Sequence, residues 1–169
     1  MEKPKILIVD DEVEILKVLF KTLEDDFEVV TSSRAKEALQ MIDDSVQIIL
    51  SDQRMPEMTG SEFFKAVRDK HPQIVRIIMS GYSDMNALIS SVNDGEIFRY
   101  INKPWELQDL LDTLQLAAVK YKENISHAKL VDENKHLIER NREVATRLTQ
   151  TMEELKRVQS ELEKLNKKS

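Results

Sequence analysis

Residues 5–12 read KILIVDDE, an unbroken apolar run that ends abruptly in acid. A short aliphatic, β-branched run without polar alternation fits a strand covered on both faces, the habit of parallel sheets. Similar runs recur down the chain. Phe27–Thr31 (FEVVT), Val46–Leu50 (VQIIL), Ile74–Met79 (IVRIIM) and Ile97–Ile101 (IFRYI) read as four further strands. Between them the apolar spacing lengthens to that of a helix. The sets are Ile15, Leu16, Leu19 and Leu23; Ala35, Ala38, Leu39 and Ile42; Phe63, Phe64 and Val67; and Ala87 to Val92, stopped by Gly95. Thr59 and Glu62 have the spacing of a capping box at the start of the third helix, and Pro72 stands just past its end. A fifth helix is expected from Trp105 onward, with Leu107, Leu110, Leu111 and Leu114 turned to the sheet and Trp105 packing its start against the domain.

Five strand–helix units with short links imply an α/β fold: a parallel sheet with right-handed crossovers and helices on both faces. Ligands of such sheets bind outside the carboxyl ends of the strands. The first strand ends in Asp10-Asp11, the third at Asp52 and the fourth at Ser80, and the fifth runs into Lys103-Pro104. Three carboxylates, a hydroxyl and an ammonium are thus expected along one edge. Singly, an Asp or Ser after a strand is an ordinary turn or cap residue. Their joint occurrence at four strand ends is hard to explain as capping. Clustered carboxylates raise one another's pKa unless a cation neutralises them. Oxygen donors without His or Cys suit Mg²⁺, which takes one or two carboxylates, waters and phosphate oxygens. A carboxylate beside such an ion can attack a phosphoryl group to give an acyl phosphate. That transfer needs position and charge neutralisation above all. Lys103 would add positive charge, and Ser80 a hydrogen bond to a phosphoryl oxygen.

The strings ILIVDDE (6–12), SDQRMPEMTG (51–60), IIMSGYSD (77–84) and FRYINKPW (98–105) strongly resemble the receiver domain of bacterial two-component response regulators. The resemblance covers roughly residues 4–120, and the DQRMP and FRYINKPW wording is similar to receivers found with cyclic-di-nucleotide phosphodiesterase or hydrogenase-regulator outputs. It implies a flavodoxin-like sheet of order 2-1-3-4-5 with five helices. It also implies Asp52 as phosphoacceptor, Asp11 as direct Mg²⁺ ligand, Asp10 as an outer acidic partner acting partly through water, and the backbone carbonyl of Arg54 as a further ligand. Ser80 corresponds to the switch hydroxyl, Lys103 to the family's lysine and Tyr100 to its aromatic switch, with Pro104 following in a peptide often cis. Arg54 and Tyr82 would flank the path of an attacking water, so a long-lived acyl phosphate is expected. The partner implied is a sensor histidine kinase or phosphotransfer protein, and the chemistry is self-catalysed phosphotransfer rather than metabolic turnover. A Mg²⁺-dependent aspartyl phosphohydrolase would show an Asp-x-Asp-x-Thr/Val loop, whereas this chain has Asp10-Asp11-Glu12-Val13. A phosphorylation-independent adaptor would have no need of the acidic constellation.

Composition agrees. Residues 1–120 hold 14 basic and 22 acidic side chains, net −8, and residues 121–169 hold 11 and 9, net +2. The acidic part lacks the basic footprint of a nucleic-acid binder. No cysteine is present, which removes disulfides and cysteine-ligated metals and fits a reducing cytoplasm. The apolar run at 6–9 is too short for a secretory signal, and no stretch reaches the length of a membrane span. His71, His127 and His136 have no ligand spacing and read as solvated surface.

The last Gly is Gly95 and the last Pro is Pro104. Beyond them the fifth helix need not stop until about Leu165, ~90 Å at 1.5 Å per residue. The division expected is a receiver over 1–120 and a helical extension over 121–169. Asn134, Asn141, Leu148, Leu155 and Leu162 fall at heptad position a, and Leu137, Val144, Thr151, Val158 and Leu165 at d. That seam points to a coiled coil, and Asn at two a positions favours a parallel homodimer in fixed register. Val131, Ile138, Ala145 and Met152 at e widen the stripe toward a bundle or an added protein partner. Alternatively, this helix connects the receiver to an enzymatic or DNA-binding output of a larger regulator.

Overall fold

The computed structural model describes residues 3–81 and 97–166. Its strands are β1 (Lys5–Val9), β2 (Glu28–Ser32), β3 (Val46–Asp52), β4 (Val75–Ser80) and β5 (Arg99–Asn102). Its helices among the described residues are α1 (Val13–Leu23), α2 (Ala35–Met41), α3 (Gly60–Lys70) and α4 (Leu107–Asn166). The helix expected over Ala87–Val92 lies outside the described residues. The chain divides into two units, Met1–Ile125 and Ser126–Ser169.

In the first unit all neighbouring strands pair parallel, in the order β2-β1-β3-β4-β5, as expected. Because side chains alternate across a strand, each apolar run feeds two cores. Ile6, Ile8, Ile48, Leu50 and Ile77 pack with Leu16, Leu19 and Leu23 of α1 and with Leu110, Leu114 and Ala117 of α4. Leu7, Val9, Ile49, Ile74 and Ile78 pack with Ala35 and Ala38 of α2 and with Phe63, Phe64 and Val67 of α3. The capping box at Thr59 and Glu62 is present in full.

Several boundaries differ from those read in the sequence. β3 runs two residues further, to Asp52, so the acceptor candidate belongs to the ladder opposite Met79. β5 begins at Arg99: Ile97 is buried in the core ahead of it, and the Phe98 N–H donates to the Arg76 carbonyl at 2.8 Å. α4 begins at Leu107, whose side chain is exposed rather than turned to the sheet. Trp105 instead packs on the α1-side core, as its position before the helix suggested.

In the second unit every described residue lies in α4, and every side chain from 126 to 164 is exposed. Leu137, Leu148, Leu155 and Leu162 are more than half exposed. Among the described residues, no helix is long and apolar enough to cross a membrane.

Candidate functional site

The carboxyl ends of β1, β3, β4 and β5 lie side by side, and Lys103 ties three of them together. Its ammonium stands 2.8 Å from Asp10 Oδ2 and 2.6 Å from Asp52 Oδ1. Its backbone N–H donates to the Ser80 carbonyl at 2.8 Å. The Lys103–Pro104 peptide that follows is cis. Backbone amides take up the remaining carboxylate oxygens. The Glu12 N–H donates to Asp10 Oδ1 at 2.9 Å, and the Arg54 N–H to Asp52 Oδ2 at 2.7 Å.

Burial decides the electrostatics. Asp10 is fully buried and Asp52 nearly so. Burial pushes the Asp10 carboxyl above the ordinary aspartate range. The hydrogen bonds from Lys103 and the Glu12 amide pull it down without cancelling that push, and the charge of Asp52 adds to it. Burial by itself would depress Lys103, but its bonds to Asp10 and Asp52 outweigh it and hold the ammonium above the usual lysine value. One cation thus serves two carboxylates, which keeps a demand for positive charge at the site.

The structure sorts the residues expected here. Asp10, Asp52 and Lys103 meet directly. Ser80 is buried at the end of β4, and its hydroxyl donates to the Gly81 carbonyl at 3.1 Å. Asp11 is exposed beside Asp10. Arg54 is an exposed residue that reaches Asp52 through its amide. Tyr100 is half-buried on β5, opposite Ile78. Tyr82 lies outside the described residues. His71 is partly exposed, and His127 and His136 are exposed.

Other contributors were not read from the sequence. A Cβ at Gly60 would collide with the Asp52 carbonyl and crowd Ile78, so only glycine lets α3 begin this close to the end of β3. Gln53 fastens the loop: its N–H donates to the Met79 carbonyl at 3.0 Å, its carbonyl accepts from the Gly60 N–H, and its side-chain oxygen accepts from the Ser61 N–H. A glycine closing the DQRMPEMTG string was the one signal available in sequence, since a glycine before a helix often marks a close backbone approach.

The donor set fits a hard divalent cation, because the carboxylates of Asp10, Asp11 and Asp52 offer oxygen alone. Among the described residues no group of three or more carboxylate, imidazole or thiol side chains is close enough to cage a metal unaided. Mg²⁺ does not require one, since it keeps several waters and one or two carboxylates suffice.

Comparison with known proteins identifies the family. The hydrogenase transcriptional regulatory protein HoxA of Cupriavidus necator is 46% identical over 113 residues, which are 66% of this chain and 23% of that protein. This chain spans about a quarter of the length of the curated relatives it matches. A structure described as an adenylate cyclase from Rhodopirellula baltica superposes with a TM-score of 0.73 at 32% identity, over 77% of this chain and 98% of that one. A response regulator receiver domain protein from Clostridium thermocellum superposes with a TM-score of 0.62 at 30% identity, over 75% and 98%. The description of the response regulator receiver domain matches residues 6–115, and the chain belongs to that family.

Proposed function

We propose that this chain is a cytoplasmic phosphorylation switch whose Asp52 accepts a phosphoryl group from the phosphohistidine of a sensor kinase or phosphotransfer protein. The observation that carries the reading is the Lys103 ammonium held between Asp10 and Asp52 at the carboxyl edge of the sheet. In the transfer, a carboxylate oxygen of Asp52 bonds to phosphorus, the N–P bond breaks and the imidazole leaves with the bonding pair. The product is an acyl phosphate. Lys103 pairs with the phosphoryl oxygens as they arrive. Asp11, Asp10, Asp52 and the Arg54 carbonyl are the residues that would hold Mg²⁺. When bound, the ion supplies the charge neutralisation that phosphoryl transfer depends on.

The Ser80 hydroxyl, which donates to the Gly81 carbonyl, exchanges that partner for a phosphoryl oxygen, and Tyr100 on the edge strand β5 carries the change outward. That bond exists only in the phosphorylated state, which is what lets it bias an equilibrium. The a/d stripe of α4 is the output: two copies pair in parallel through Asn134, Asn141, Leu148, Leu155 and Leu162. A second reading, in which α4 links the receiver to a further domain, is favoured by the quarter-length match to the relatives. The central test is intact mass after acetyl phosphate and Mg²⁺. Wild type gains one phosphoryl group and Asp52→Asn gains none. Full labelling of Asp52→Asn would move the acceptor elsewhere.

A further inference from the structure

The loop between β3 and α3 carries Arg54 past Asp52 and then turns sharply. Met58 N–H donates to the Pro56 carbonyl at 2.9 Å, closing a three-residue turn around Glu57, whose φ is 71°. This is the rare, strained form of the γ-turn. A residue with a Cβ resists that conformation where glycine would not. Such strain persists only where the surroundings over-determine it.

Each oxygen of the Glu57 carboxylate meets its own cation from the start of α2. Oε1 is 3.2 Å from Arg34 Nη2, and Oε2 is 3.2 Å from Lys36 Nζ. Around the turn, Met55 is buried and Met58 partly buried in the core of α2 and α3, and the Gly60 N–H closes the loop on the Gln53 carbonyl. The segment is thus fixed at three places, and the one made by side-chain charge is Glu57. Between these fixings lies the 2.7 Å bond from the Arg54 amide to Asp52 Oδ2.

We propose that Glu57 is a positioning residue: its paired contacts to Arg34 and Lys36 clamp the strained turn to α2 and thereby hold the Arg54 amide against Asp52. The proposal rests on the reading of Asp52 as acceptor. A glycine at 57 would adopt the turn freely but would remove the loop's charged contact to the start of α2. A glutamate gives up that ease and gains the clamp. Lone exposed ion pairs contribute little. Here one carboxylate joins two cations on a neighbouring helix, and the loop it secures touches the reacting group.

Three variants test this: Glu57→Gln, Glu57→Gly and the charge exchange Arg34→Glu/Lys36→Glu/Glu57→Arg. Two readouts are taken on the full chain: hydrogen exchange of the Arg54 and Met58 amides without phosphate, and the initial rate of acetyl phosphate labelling with Mg²⁺. Glu57→Gln and Glu57→Gly should both exchange faster at Arg54 and label about threefold slower, the scale of two exposed ion pairs. Glu57→Gly relieves the backbone, so its slower labelling should come without loss of overall stability, which separates positioning from folding. The charge exchange should recover both readouts. High salt should slow wild type toward the Glu57→Gln rate and change that variant less. Wild-type exchange and labelling in both single variants would overturn the clamp, as would a folded charge-exchange variant that recovers neither. If wild type itself takes up no phosphate, the acceptor reading fails, and amide exchange alone then decides the clamp.

Discussion

Leu114 and Leu148 lie on the same helix, α4, yet the first is fully buried and the second is 61% exposed. Leu114 belongs to the first unit, where it lies in one buried core with Leu50, Ile77 and Leu16. Leu148 belongs to the second unit, where no described side chain from 126 to 164 is covered. Both residues are part of an apolar stripe with helical spacing. Periodicity says that a face will be covered, and not by what. In the receiver the covering atoms come from the sheet. In the helical extension the stripe stands exposed among the described residues, and a contiguous exposed apolar stripe of that length marks an interaction surface.

The contrast can be broken most directly by cutting each leucine to alanine. Leu114→Ala should cost the receiver about 2–5 kcal/mol, the range for a buried leucine that leaves a cavity. Leu148→Ala should stay within about 0.5 kcal/mol when the chain is dilute enough to be monomeric. Trp105, the one tryptophan, packs against the core that contains Leu114, so its fluorescence through a denaturant series reads both variants. Equal losses would mean that Leu148 is covered within its own chain.

The next effect is on association. Leu148→Lys with Leu155→Lys places like charges in the proposed seam. Light scattering across a concentration series should then give the mass of one chain throughout, while acetyl phosphate labelling is unchanged. Wild type should approach twice that mass as concentration rises. A wild-type monomer at every concentration would reject self-association and favour the connector reading of α4.

The same contrast shows what could be read in advance. The apolar runs and the helical spacings between them sufficed for a parallel sheet and for the described helices that cover it, because burial on two faces leaves a strong imprint on composition, whereas the strand order came only with the family resemblance. The acidic edge was legible because Asp10, Asp52, Ser80 and Lys103 each follow such a run. Which of two neighbouring aspartates turns inward was not legible. Successive side chains leaving a strand point to opposite sides, and nothing in the string Asp10-Asp11 says which of the two is buried. Asp10 is buried and paired with Lys103, while Asp11 beside it is exposed. Leu107 fits the helical spacing but precedes the point where α4 meets the sheet. The contact of Glu57 with Arg34 and Lys36 joins residues more than 20 positions apart across two loops. No local pattern encodes that approach.

The smallest effect concerns the receiver's reliance on partners within its own chain, down to a helix end. Thr59 Oγ accepts from the Glu62 N–H at 3.2 Å, and Glu62 Oε2 accepts from the Thr59 N–H at 2.9 Å. Thr59→Ala should cost about 1 kcal/mol, the usual loss for such a cap. The backbone N–H of Thr59, and then its hydroxyl, hold the Glu62 carboxyl below its ordinary value. A carboxylate depressed in the fold adds stability above its unfolded pKa and loses that share as pH falls through the folded value. The Glu62 share of the cap is therefore whole at neutral pH and fades in acid, where a protonated carboxyl no longer draws on the two donors. The Thr59 share, an uncharged hydroxyl accepting from an amide, does not titrate. Denaturant midpoints for wild type and Thr59→Ala should therefore differ most at neutral pH and converge part of the way on acidification. A gap that stays constant to low pH would mean that the bond from the Thr59 hydroxyl to the Glu62 carboxylate adds nothing to the cap.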